Sequence, residues 1–185
     1  MAETTGFGKF GIKEVADVNF YSLASGAGTD PVLKFDTLKV SNLEFTSEEA
    51  FARGGKGNPK LITWDYNREA TLTLQDALLS MDTLAMIFGT ATENNAISIN
   101  ADKYPDFYRI EGTTLARTTN GSDKLFTFTI PKAKISSNVT LTMEAEGDPT
   151  VFDMTITALQ STNEDGTKAP LVILSMAEKT ENSGE

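Results

Sequence analysis

Gly54-Gly55-Lys56-Gly57 is a glycine-rich run of the kind whose backbone N–H groups, beside a lysine, can cradle phosphate oxygens. That chemistry needs Gly-Lys followed by Ser or Thr, after a strand and at the opening of a helix. Here Gly57 follows Lys56, and strand-like sequence follows the loop, so the phosphate reading fails. Ser161, Asn163, Asp165 and Gly166 echo the start of a calcium loop, but the position of its bidentate glutamate falls on Val172, and a hairpin turn accounts for them. Carboxylates pair at Asp65/Glu69, Asp102/Asp106 and Glu144/Glu146, where one of each pair would have to act as acid and the other as base. Nothing sets these pairs apart from a solvated sheet face. Asn120-Gly121-Ser122 and Asn138-Val139-Thr140 match the glycosylation pattern, but no secretion is expected and chance matches are the reading. Trp64 and Tyr66, two apart on one strand face, offer a stacking platform for bases or sugars; alternation with Ile62 and Leu72 points instead to core packing.

Histidine and cysteine are absent. The chain therefore lacks the commonest general base and metal ligand, and it has no thiolate nucleophile, disulfide or ordinary zinc site. A serine nucleophile would lack its usual partner. No catalytic, cofactor or metal site is expected, and the chain reads as a non-enzyme.

The elements that would position these residues are mainly strands. From Ile62 the sequence alternates, with Ile62, Trp64, Tyr66, Ala70, Leu72 and Leu74 on one expected face and Arg68 as the polar intruder. After Asp76 the period becomes helical, and Gly89 provides a left-handed stop. Leu78, Met81, Leu84 and Phe88 are expected to pack on the sheet, leaving Leu79 and Ile87 to widen an apolar surface towards a neighbouring subunit. Before that strand, Thr46 to Lys60 reads as a long loop carrying Glu48, Glu49, Phe51, Arg53, Gly54, Gly55, Lys56, Gly57 and Asn58, a candidate contact segment.

Elsewhere a strand is predicted near Val15 to Leu23, and a loop over Ser25 to Pro31. From Val32 to Phe45 apolar residues alternate in three short runs, Leu33/Phe35, Leu38/Val40 and Leu43/Phe45, whose changes of phase require bulges or two strands. Ile97 and Ile99 suggest a short strand. Phe107 to Thr118 and Lys124 to Ile130 form a hairpin around Asn120-Gly121, a pair favoured by type I′ turns, and Pro131 implies a bend or an edge. Val139 to Ala145 and Phe152 to Ala158 alternate, while Leu171 to Met176 is a continuous apolar run, as in a strand buried on both faces. Many short strands and one helix predict a mainly β, sandwich or barrel-like fold. At 185 residues, a single domain over 1–185 is expected, with a loose arm over 1–10 and a fraying tail over 178–185.

The block from Leu33 to Gly89, above all ARGGKGNPKLITWDYNREATLTLQDALLSMDTLAMIFG, resembles the central segment of major tail tube proteins of long-tailed bacteriophages, especially those of Gram-positive hosts. The resemblance implies a structural virion protein whose hexameric rings stack into a hollow tube for DNA. The 46–60 loop would then reach the adjacent ring. Implied partners are copies of the same chain and other tail proteins (tape measure, tail terminator, baseplate or tip), with assembly in the host cytoplasm. The alternative is a β-sandwich binding module, adhesin- or fibre-like, holding carbohydrate or calcium.

Charge bears on both readings. A net charge of −10 argues against a surface that grips nucleic acid through lysine and arginine. DNA sliding past an acidic wall is compatible with it. MAETTGFGKFGIKEV has no apolar run of signal-peptide length, and no stretch approaches the ~20 apolar residues of a membrane span, so no membrane partner is expected.

Overall fold

A computed structural model describes residues 8–24, 28–136, 152–163 and 165–179. Its strands are β1 (Phe10–Ile12), β2 (Asp17–Ser22), β3 (Leu33–Phe35), β4 (Leu38–Arg53), β5 (Lys60–Asp76), β6 (Phe107–Thr118), β7 (Asp123–Ile135), β8 (Phe152–Ala158) and β9 (Ile173–Glu178). One helix, α1 (Met81–Phe88), follows β5. Among the described residues all nine strands join one antiparallel sheet, in the order β3-β2-β6-β7-β8-β5-β4, with β1 beside β6 and β9 beside β7. The sheet does not close into a barrel among the described residues. Its inner face buries Val18, Phe20, Leu72, Leu74, Ile110, Ile130, Ile135, Met154 and Ile156 in one core. The fold is thus mainly β and sandwich-like, as the short alternating segments predict.

The expected strand near Val15 to Leu23 is β2, with Val18 and Phe20 fully buried. The phase changes between Val32 and Phe45 have both suggested causes: two strands, and a register shift between Leu38 and Val40. Pro131 lies in a second irregularity, where Tyr108 pairs with Ala133 but Ile110 pairs with Ile130. A bulge there absorbs a residue that has no N–H to give the ladder.

The β6–β7 hairpin differs from the expected two-residue turn. The Gly121 N–H donates to the Thr118 carbonyl and the Thr118 N–H to the Ser122 carbonyl, while Gly121 alone in this loop has a positive φ, 86°. Type I′ needs two left-handed residues, so this is the three-residue loop that ends on a left-handed glycine. Ile97 and Ile99 form no strand, and only an isolated Glu93–Ala96 bridge marks that segment. The run from Leu171 is not buried on both faces. It yields β9, which among the described residues pairs only with β7 and leaves Ile173 and Leu174 about half exposed, as on a strand with a partner on one side alone. The strand expected over Val139 to Ala145 lies outside the described residues, as do most of the expected arm and tail; Phe10 opens β1 and Glu178 closes β9.

The helix begins at Ser80, not directly after Asp76. The Ser80 hydroxyl accepts from the Thr83 N–H at 3.0 Å, capping the first turn. Gly89 ends the helix at φ 63°, its N–H reaching the Ala85 and Met86 carbonyls. Asp76 closes β5 in a buried position, where its carboxylate accepts from the Thr37 hydroxyl at 2.5 Å. The acid thereby ties β5 to the turn before β4, satisfying a group that would be costly to bury alone.

Candidate functional site

Sequence singled out the Thr46–Lys60 segment, and the structure gives it a different form. It is not a long loop: β4 continues through Glu48, Glu49, Phe51 and Arg53, and only 54–59 turn the chain. The ladder to β5 runs from Leu38–Asp76 to Arg53–Lys60. Only residues 71–76 of β5 also pair with β8. Beyond Ala70, therefore, β4 and β5 leave the body of the sheet as a two-stranded ribbon.

A bulge at the base of the ribbon decides which way its side chains point. Thr46 pairs with Glu69, but Glu48 pairs with Tyr66, so Asn67 and Arg68 together oppose Ser47. Asn67 takes a left-handed φ of 49°, which asparagine tolerates better than most residues. Directly paired residues share a face, and β4 alternates without a break here. Ala70 and Leu72 share the core side with Phe45 and Leu43, whereas Tyr66, Trp64 and Ile62 pair with Glu48, Ala50 and Ala52 on the outward side. The single face expected for Ile62 through Leu74 is thus overturned. Ala70, Leu72 and Leu74 are buried, but Ile62 and Trp64 are each 52% exposed and Tyr66 46%. The polar pair Asn67-Arg68 interrupting the alternation was the available signal.

The same phase change separates the proposed carboxylate dyad. Asp65 pairs with Glu49 on one face and Glu69 with Thr46 on the other. Among the described residues, no three acidic side chains come together in a metal-holding group. The Asp165 carboxylate is taken by Thr167, from its N–H at 2.9 Å and its hydroxyl at 2.6 Å, and these hydrogen bonds lower the Asp165 pKa.

At the ribbon tip the charge is basic. The Lys60 ammonium sits 3.3 Å from the Phe51 ring centroid and the Arg53 guanidinium 5.7 Å from it, both cations stacked on one aromatic. Lys56 lies in the turn with Gly54, Gly55, Gly57 and Asn58; Gly55, Gly57 and Asn58 adopt positive φ. The arm has an acidic stem, Glu44, Glu48, Glu49, Asp65 and Glu69, and a cationic end.

The helix contributes less outward surface than expected. Ile87 is fully buried in the core instead of facing a neighbour, with Ala85 and Met86 beside it. Leu84 and Phe88 are half-buried. Leu78 and Met81, expected to pack inward, are exposed along with Leu79, because the chain reaches the helix only at Ser80 and the first two leucines belong to the connection.

Among family models, that of the YomU/Tube protein family matches residues 10–96 and 90–171. Among curated proteins none matches.

Proposed function

The chain belongs to the YomU/Tube protein family, and from that premise we propose that it is the major tail tube subunit of a long-tailed phage. In this reading it is a non-enzymatic structural virion protein. The chain acts as one domain, and its hexameric rings stack into a hollow tube through which DNA passes without specific binding. Its partners are copies of itself and the tail proteins that begin, measure and end the tube. It assembles in the host cytoplasm, and no cofactor is involved.

The observation that carries the reading is the β4–β5 ribbon. An isolated two-stranded hairpin is marginal in water, yet this one leaves its sheet with half-exposed Trp64, Tyr66 and Ile62 on one side. Among the described residues the outer edge of β4 is also unpaired. An apolar arm with a free edge gains stability when a neighbouring subunit covers it, and repeated use of one such contact extends an assembly without limit.

The test replaces residues 49–65 by an Asn-Gly turn joining the paired residues Glu48 and Tyr66. Solution mass and negative-stain electron microscopy across a concentration series should show rings or tubes for the wild-type chain and folded monomers for the shortened one. Tubes from the shortened chain would remove the ribbon from the assembly. A second reading draws on the same exposed aromatics: Trp64 and Tyr66 on one face suit a sugar-stacking platform of a binding module. A melting temperature that rises with added glycan, in a chain that stays monomeric, would favour it.

A further inference from the structure

The outward side of β2, β3, β6 and β7 carries a cationic, aromatic surface that the sequence does not reveal, because its residues come from four strands. Tyr21 and Arg109 are cross-strand partners, with the guanidinium 4.0 Å from the ring centroid. Phe107, two positions from Arg109 and on the same face, pairs with Lys134. The Lys132 and Lys134 ammonium groups lie 4.6 and 5.7 Å from the Phe107 ring. Lys34 pairs with Asn19, the next outward residue of β2 after Tyr21. Within this patch Glu111 offsets Arg109 at 3.2 Å, while Asp17 and Asp153 lie farther along the same side of the sheet. Among the described residues no carboxylate is within ion-pair distance of Lys34, Lys132 or Lys134.

Three cations on two aromatic rings, with Lys34 on the neighbouring edge strand, stand out in a chain of net charge −10. The outward face of the ribbon is their complement. It presents Glu69 and Glu48, with Glu44 just below them on the body of the sheet, and then Tyr66, Trp64 and Ile62. We propose that the Tyr21/Lys34/Phe107/Arg109/Lys132/Lys134 surface of one subunit receives the outward ribbon face of a second copy, carboxylates on the cations and aromatic rings beside them. Both surfaces lie on the same side of one sheet, side by side with β8 between them, so the ribbon of a chain does not face its own patch. The contact is head-to-tail, and each copy that docks leaves its own patch open for the next. This inference rests on the self-assembly reading above and identifies which surfaces meet.

The test is a charge exchange in the full chain. Lys132→Glu with Lys134→Glu reverses the patch, and Glu48→Lys with Glu69→Lys reverses the ribbon. Glu48, Glu69 and Lys134 are exposed and Lys132 is half-buried, and unchanged circular dichroism confirms that each variant is folded. Each reversed chain alone should lose at least ten-fold in sedimenting assemblies. Mixing the two, or combining all four changes in one chain, should restore assembly. Wild-type assembly that survives both reversals, or reversals that no combination rescues, would overturn the docking and leave the tube reading standing. A wild-type chain that stays monomeric at every concentration would overturn both. Wild-type binding of a 30-base-pair duplex DNA at low salt, lost on patch reversal while assembly persists, would assign the patch to nucleic acid instead.

Discussion

Gly112 and Phe128 face each other across the β6–β7 ladder, and the Phe128 ring fills the space that a Cβ on residue 112 would occupy. The glycine is required by the ring, not by its own backbone angles. Gly112→Ala should overpack the core at a cost of about 1–3 kcal/mol. In a chain of this length that lowers the melting temperature by about 2–4 °C per kcal/mol. Adding Phe128→Leu should recover part of the loss by withdrawing the ring, whereas Phe128→Leu alone should destabilise. Thermal unfolding of the three variants checks this, and additive losses in the double variant would refute the steric account.

Glu49 and Asp65 are directly opposed on the ribbon, like charges on neighbouring strands. Such a pair is destabilising, and an opposite-charge pair at the same positions contributes roughly 0.2–1 kcal/mol relative to alanine. Asp65→Lys should therefore stiffen the ribbon of the isolated subunit. The expected readout is slower amide hydrogen exchange from Glu48 to Tyr66, with little change in global melting, since the ribbon opens independently of the core.

The proximal half of β5 was legible because Ala70, Leu72 and Leu74 alternate into a core that pays no attention to what lies beyond residue 69. The distal half was not. Alternation in sequence carries no mark of a bulge, so Trp64 and Tyr66 keep the parity of Leu72 while facing the other way. A hydrophobic strand also reads alike whether it ends in a core or in an arm awaiting cover. Thr46 to Arg53 reads as loop because its ladder holds polar residues on both exposed faces, and only 54–59 turn the chain. Ile87 was misplaced because the helix starts at Ser80, which turns Ile87 and Met86 inward. The cationic patch was invisible for a different reason: strand pairing alone brings Lys34, Arg109 and Lys134 together.

Tyr108 is buried on the inner face of β6, and burial, aided by the nearby Asp106 charge, raises its pKa above the ordinary value of 10.0. A phenol with a raised folded-state pKa holds its proton longer in the native than in the unfolded chain. Its contribution is therefore complete below about pH 10 and is lost as pH rises through the folded value. Tyr108→Phe removes the titration while keeping the ring. Its melting temperature should fall less steeply than that of the wild-type chain between pH 9.5 and 11.5 (about the range in which tyrosines titrate). Parallel curves for the two chains would mean that Tyr108 does not govern the alkaline limb.

The bulge at Asn67-Arg68 yields a sharper test of the ribbon, because two changes of one residue have opposite consequences. Deleting Arg68 places Asn67 opposite Ser47 and keeps Tyr66 opposite Glu48, so Trp64 stays on the outward face and the ladder becomes regular. Inserting one residue after Thr46 gives β4 a partner for the extra residue of β5. The distal ribbon then rotates by one position, and Trp64, Tyr66 and Ile62 turn to the side of Leu43 and Phe45. Both variants retain the whole core, since Ala70 and residues 71–76 with their pairing to β8 are untouched. If the outward aromatic face makes the contact, the deletion should assemble and the insertion should not. Trp64, the one tryptophan in the chain, reports the difference directly: its emission should shift to the blue on assembly of the deletion variant and remain that of an exposed indole in the insertion variant at every concentration. Equal assembly by both would show that which way the ribbon faces does not matter to the subunit contact.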